Sequence, residues 1–157
     1  DPAMTVLIQR AEDVAAEVCS RLASRTVALG AETDLGVSVY QGRRRIDDSM
    51  IPCVVVIEGP DTAGSAVGAR VEVDQPYTLF AYIPCDPANP NVAAHAALRD
   101  LKRAIFMTEG KADPRWGGKV REVRYLGRDI GPRADGAAFV VAAIDIGVQY
   151  VENLAAP

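Results

Sequence analysis

Residues 142–151 constrain the fold of this chain more than any other stretch. Ile144, Ile146, Val148 and Tyr150 fall on one side of an extended backbone, and Asp145, Gly147 and Gln149 fall on the other. A period of two, with β-branched and aromatic residues on one face, is the pattern of a half-buried strand. Upstream, Val120, Val123 and Tyr125 interleave with Arg121, Glu122 and Arg124, which predicts a strand over 119–126 with a basic outer face. The Gly, Pro and Asp residues of 127–136 read as the turn region between them. The two strands are expected to form an antiparallel pair that closes the domain. Nothing in the pair points to catalysis.

A chain of 157 residues fits one domain, and that size buries roughly 70% of its unfolded surface. With 49% hydrophobic and 24% charged residues, a packed mixture of helix and strand is expected rather than a disordered chain. The net charge of −4 gives no support to general nucleic-acid binding. Cys19, Cys53 and Cys85 are odd in number, far apart and without Cys-x-x-Cys spacing. Neither a disulfide framework nor a zinc site is expected from them, and Cys19 and Cys53 read as buried thiols. No apolar run approaches the ~18 residues of a membrane span. No basic-then-apolar leader precedes the fold, so a cytoplasmic protein is expected. Asp1, Pro2 and Ala3, ahead of Met4, read as a cloning remnant.

Along the chain, Leu7, Ala11, Val14, Val18 and Leu22 recur at helical spacing and predict a first helix over 5–24. Leu35, Val37 and Val39 predict a strand over 35–46, interrupted at Gly42. Arg43, Arg44, Arg45, Asp47 and Asp48 then form a charged hairpin tip, and an apolar strand over 51–58 returns from it into the sheet's interior. Residues 59–68 read as a flexible loop. The alternation over 67–83 predicts a strand at a sheet edge or broken near Pro76, because proline cannot donate to a ladder. Asn89-Pro90 opens a second helix with Ala94, Leu98, Leu101 and Ile105 on its apolar stripe, ending at 108–110. The predicted order is αβββαββ. This is one α+β domain over 4–152, with two helices packed on one face of a mostly antiparallel (mixed) sheet and a C-terminal tail at 153–157.

Candidate chemistry is sparse. His95 is the sole histidine, with no acidic or Cys partner three or four residues on; a helix-surface role is favoured over a general base. Residues 59–68 are glycine-rich but lack the Gly-Lys-Ser/Thr ending of a phosphate loop. No Gly-x-Ser-x-Gly elbow is present, and one isolated histidine supports no Ser/His/Asp set. No catalytic, metal or cofactor-binding residue is assigned. Asp47 and Asp48 beside three arginines read as charge compensation in a solvated turn. The arginines fit either that solvated tip or a contact with an acidic partner surface or nucleic acid. Trp116, between Pro114-Arg115 and Gly117-Gly118, fits an interface anchor or a cap on the core edge.

Several stretches taken together carry a resemblance. A strand with Tyr40-Gln41-Gly42 leads to the charged tip and a return strand ending Ile57-Glu58-Gly59. The second helix, with Leu98, Leu101 and Ile105, precedes a Gly110-Lys111 loop, a Val120-x-x-Val123-x-Tyr125 strand and a last strand ending Val148-Gln149-Tyr150. In architecture and loose pattern, residues 5–152 resemble the tail terminator (minor tail) proteins of long-tailed bacteriophages and prophages. That resemblance implies a non-enzymatic virion protein without cofactors, assembled in the host bacterial cytoplasm. Its copies would close into a six-fold ring on the tail tube, stop tube polymerisation and offer a surface to the head-tail connector. Its partners would be itself, the tail tube protein and the connector, with genomic DNA passing through the lumen without specific binding and no membrane. The family supplies no signature residues to carry over. Exposure and charge instead nominate the hairpin 42–50 (Arg43, Arg44, Arg45, Asp47, Asp48) and the loop 109–118 (Arg115, Trp116) as assembly surfaces. The alternatives are another head-tail joining or tail completion protein, or a small ligand-binding domain or enzyme using a cleft near His95 and Asp86.

Overall fold

The computed structural model describes residues 6–157; the predicted remnant at 1–3, Met4 and the predicted helix start at Thr5 lie outside the described residues. In chain order the elements are α1 (Ala11–Ala23), β1 (Val39–Gln41), β2 (Cys53–Glu58), β3 (Thr62–Val67), β4 (Arg70–Pro84), α2 (Pro90–Phe106), β5 (Met107–Thr108), β6 (Lys111–Ala112), β7 (Glu122–Ile130) and β8 (Phe139–Asn153). Short 3-10 turns at Val27–Leu29, Leu35–Val37, Asp48–Met50 and Trp116–Gly118 punctuate the connections.

The two alternating stretches build the spine. β4 and β8 pair antiparallel from Arg70 opposite Asn153 to Pro84 opposite Phe139. The sheet runs β1-β2-β4-β8-β7, with β3 joining the same side of β4 as β2. All its pairs are antiparallel except β1 with β2. Strand alternation puts Val54, Val56, Leu79, Ala81, Ile144 and Ile146 on one face, in one cluster with Val14, Val18 and Leu22 of α1 and Ala94, Leu98, Leu101 and Ile105 of α2. Burying each such side chain stabilises by about 1.5–3 kcal/mol, which is why this layer dominates the fold. The chain is an α+β domain with two helices on one face of a mostly antiparallel mixed sheet. The opposite face carries a thinner apolar layer in which Cys53, Val55 and Ala143 are also buried.

Several boundaries differ from the periodicity, each for a local reason. α1 begins at Ala11 rather than near residue 5, because Ile8 donates its amide to Lys119 O (2.9 Å) in extended backbone. Leu7 fits the helical stripe in spacing but is 60% exposed. The predicted strand 35–46 shrinks to β1. Gly36 packs so closely on the end of α1 that a Cβ there would lie 2.2 Å from Leu22 O, which imposes a tight turn. The charged segment is not a hairpin tip: β1 and β2 are parallel, Val39 opposite Val54, so residues 42–52 form a crossover connection. The predicted loop 59–68 contains β3, paired with β4 through an irregularity between Ala63 and Ala66. The final turn lies after Ile130 rather than at 127, since β7 continues past a bulge at Tyr125/Gly127.

β4 is neither an edge nor broken at Pro76. On one side it is paired throughout with β8, and on the other β2 gives way to β3 beside Pro76. There Gly59 donates its amide to Pro76 O (2.9 Å), and a residue with an N–H would return a bond to Gly59 O. Proline has none. The buried Gln75 supplies it instead, its Nε2 donating to Gly59 O at 2.7 Å and to Pro76 O at 2.9 Å.

Candidate functional site

The crossover segment 42–52 presents the arginine cluster to solvent. Arg43, Arg44, Arg45, Asp47 and Asp48 are all exposed. Arg44 lies 4.3 Å over the Tyr40 ring, and Asp47 caps the following turn by accepting from the Ser49 amide at 3.0 Å. The side chains of Arg43, Arg45 and Asp48 make no ion pair or hydrogen bond among the described residues. The expected mutual compensation of arginines and aspartates is therefore absent, and three unpaired charges stand on one projecting segment.

The loop 109–118 splits the predicted pair of interface residues. Trp116 is 1% exposed, and its indole N–H donates to Ile105 O at 2.7 Å. Arg21 stacks 5.0 Å over its ring. Trp116 is thus the cap on the core edge and not an interface anchor, because burial removes it from any partner. Its φ of +50° is uncommon for a bulky residue and is held by that burial. Arg115 is exposed, holding Arg121 O at 3.0 Å.

Arg115 belongs to a feature that periodicity did not reveal, a groove of about 650 Å³ beside the β3–β4 turn. Leu7, Ile8, Val67, Val120, Tyr150 and Val151 give it apolar walls. Arg70, Arg115, Lys119 and Arg121 stand around it against the single carboxylate of Glu72. Arg121 pairs with Glu72 (3.1 Å) and Lys119 with Glu17 (3.3 Å), whereas Arg70 has no partner among the described residues. Tyr150 is 1% exposed and its hydroxyl has no hydrogen-bond partner. Burial, with Glu152, Asp61 and Glu58 nearby, pushes its pKa up to about 12, so it remains a neutral donor. Val67 and Leu7, at 83% and 60% exposure, leave the mouth apolar.

A second exposed apolar surface lies on the loop 26–37, where Val27, Leu29 and Val37 are 56%, 72% and 60% exposed. The loop is rigidly tied. Asp100, fully buried on α2, accepts from Arg25 (3.0 Å), the Glu32 amide (3.2 Å), and the Thr33 amide and hydroxyl (both 2.7 Å). Asp34 accepts from the Val27 amide at 2.8 Å. The signal for this surface was Val27-Ala28-Leu29 between Thr26 and Gly30, too short to show a period.

His95 and Asp86 do not converge. His95 is exposed with Nδ1 3.4 Å from an Arg128 nitrogen, and Asp86 caps its own turn through the Ala88 amide (2.9 Å). Asp86 lines a shallow depression with Cys85 and Val92 that His95 does not touch. No group of three or more His, Cys, Asp or Glu side chains among the described residues is placed to hold a metal. No helix of the described residues is long and apolar enough to cross a membrane. Neither a protein-family model nor a curated protein sequence matches this chain.

Proposed function

We propose that this chain is a non-enzymatic structural protein of a bacteriophage tail. Its copies close into a ring on the end of the tail tube, and their task is geometric: stopping polymerisation and presenting a surface for head-tail joining. The observation that carries this reading is the distribution of exposed side chains. Exposed apolar residues lie at two separate places, Leu7 and Val67 beside Arg70 at the groove and Val27, Leu29 and Val37 on the loop 26–37. Arg70 is unpaired among the described residues, and the segment 42–52 adds the likewise unpaired Arg43, Arg45 and Asp48. Two different sticky surfaces on one rigid body suit head-to-tail contacts, which generate a ring when the rotation closes and a filament when it does not. The resemblance across 5–152 supplies the tail context and the partners: the tube protein, the head-tail connector and passing genomic DNA. A net charge of −4 suits a lumen that does not trap phosphates. On this reading the protein assembles in the host cytoplasm and resides in the virion tail.

The test is mass in solution across concentration, with negative-stain imaging, followed by addition of purified tail tubes. Closed rings, or capping of one tube end, are expected. Replacing Arg43, Arg44 and Arg45 by alanine should leave folding intact and weaken assembly. A wild-type protein that neither self-associates nor caps tubes overturns the reading.

A further inference from the structure

The geometry points to the groove as the socket for the loop 26–37 of a second copy of this chain, a contact that rests on the ring reading and specifies its subunit interface. Three observations converge on that occupant. First, the groove combines an exposed apolar mouth (Leu7, Val67) with Arg70 and Arg115, which have no carboxylate partner among the described residues, Arg121 being paired with Glu72 and Lys119 with Glu17. An occupant must therefore bring apolar side chains together with carboxylates. Second, the loop 26–37 does this: it exposes Val27, Leu29 and Val37, has no Lys or Arg within its span, and carries Asp34, which makes no ion pair among the described residues, whereas Glu32 is already held by Arg99 and Arg103. The segment 42–52 fits less well, because it exposes no large apolar side chain and carries three arginines. Third, the loop is held in shape by Asp100, so little ordering entropy is lost on docking.

The contact has to be between copies. Ser38, at the loop's end, accepts from the Val54 amide (2.9 Å), beside the Cys53–Tyr82 pair of β2 and β4. The groove lies at Arg70, at the other end of β4. The strand from Arg70 to Tyr82 spans roughly 40 Å, too far for the loop to reach its own groove. Socket and loop are different surfaces, so each copy offers one of each and the contact is heterologous.

The experiment uses two single substitutions at exposed positions, Leu29→Asp on the loop and Val67→Asp at the socket. Each should melt like wild type and lose assembly at concentrations where wild type forms rings. Mixed together, they retain one intact loop and one intact socket, and sedimentation should show a heterodimer and nothing larger. Val37→Asp with Arg70→Glu repeats the test should either first variant melt early. If both single variants assemble as wild type does, or if the mixture stays monomeric while wild type forms rings, the socket assignment is wrong and the ring reading stands. If assembly occurs only on tail tubes, the same comparison is read as capping, which each variant should lose. Capping by both variants overturns the assignment, and a wild type that neither assembles nor caps overturns both.

Discussion

The Asp100 carboxylate accepts from a guanidinium, two amides and a hydroxyl while fully buried, and the loop carrying Leu29 takes its shape from those bonds. Removing it strands Arg25, whose Nε is already buried without a partner, together with two amides. Asp100→Ala is expected to cost about 3–5 kcal/mol, the usual result of breaking a buried pair from one side. Urea unfolding measures this; a loss under about 1 kcal/mol would mean that water replaces the carboxylate. Nothing in the sequence marked Asp100, which lies between Leu98 and Leu101 of a helical stripe like any surface acid. Trp116 was equally opaque. An indole among Pro, Arg and Gly fits an interface anchor and a core-edge cap alike, and only the three-dimensional return of the loop to Ile105 decides for the cap.

At the scale of elements, what was legible followed burial on one or both faces. β8, α2 behind Asn89-Pro90 and the Val54–Ile57 run were all readable, since water exclusion imposes a period or an unbroken apolar run. Partners were less readable: a short β-branched strand does not encode whether its neighbour runs parallel, and β1 pairs parallel to β2. β3 was missed because Thr62–Val67 is exposed throughout and has no apolar alternation to betray it. Pro76 misled for a different reason, since Gln75 replaces the donor that proline lacks. Gln75→Leu should leave Gly59 O unsatisfied and destabilise by about 1–3 kcal/mol. Adding Pro76→Ala restores an N–H at that pair and should recover part of the loss. A double variant no more stable than the single would show that the side chain is not substituting for the backbone.

The molecule as a whole is tied across its layers by charge as well as by apolar burial. Glu32 joins the 26–37 loop to α2 through Arg99 (2.8 Å) and Arg103 (2.6 Å). The Arg99 hydrogen bond, with that of Arg103, holds the Glu32 carboxyl down to about 2 against the opposing push of desolvation. A carboxyl lowered in the folded state contributes stability that is full above its ordinary pKa near 4.5 and is lost as pH falls through about 2. The gap in urea stability between wild type and Glu32→Gln should therefore close across that acid window. A gap independent of pH would assign the loop's attachment to packing rather than charge.

The pairing of β4 with β8 also has a consequence in time. The last strand of the chain is an interior strand of the sheet, flanked by β4 and β7, and its partner β4 is complete by Pro84. A nascent chain emerging from the ribosome therefore holds β4 with its β8-facing edge open until Phe139–Asn153 has been synthesised. The helices can form on the way, but their shared floor cannot. Premature termination before β8 removes the middle of the domain rather than its margin, leaving β4's unpaired backbone edge to chaperones and proteases.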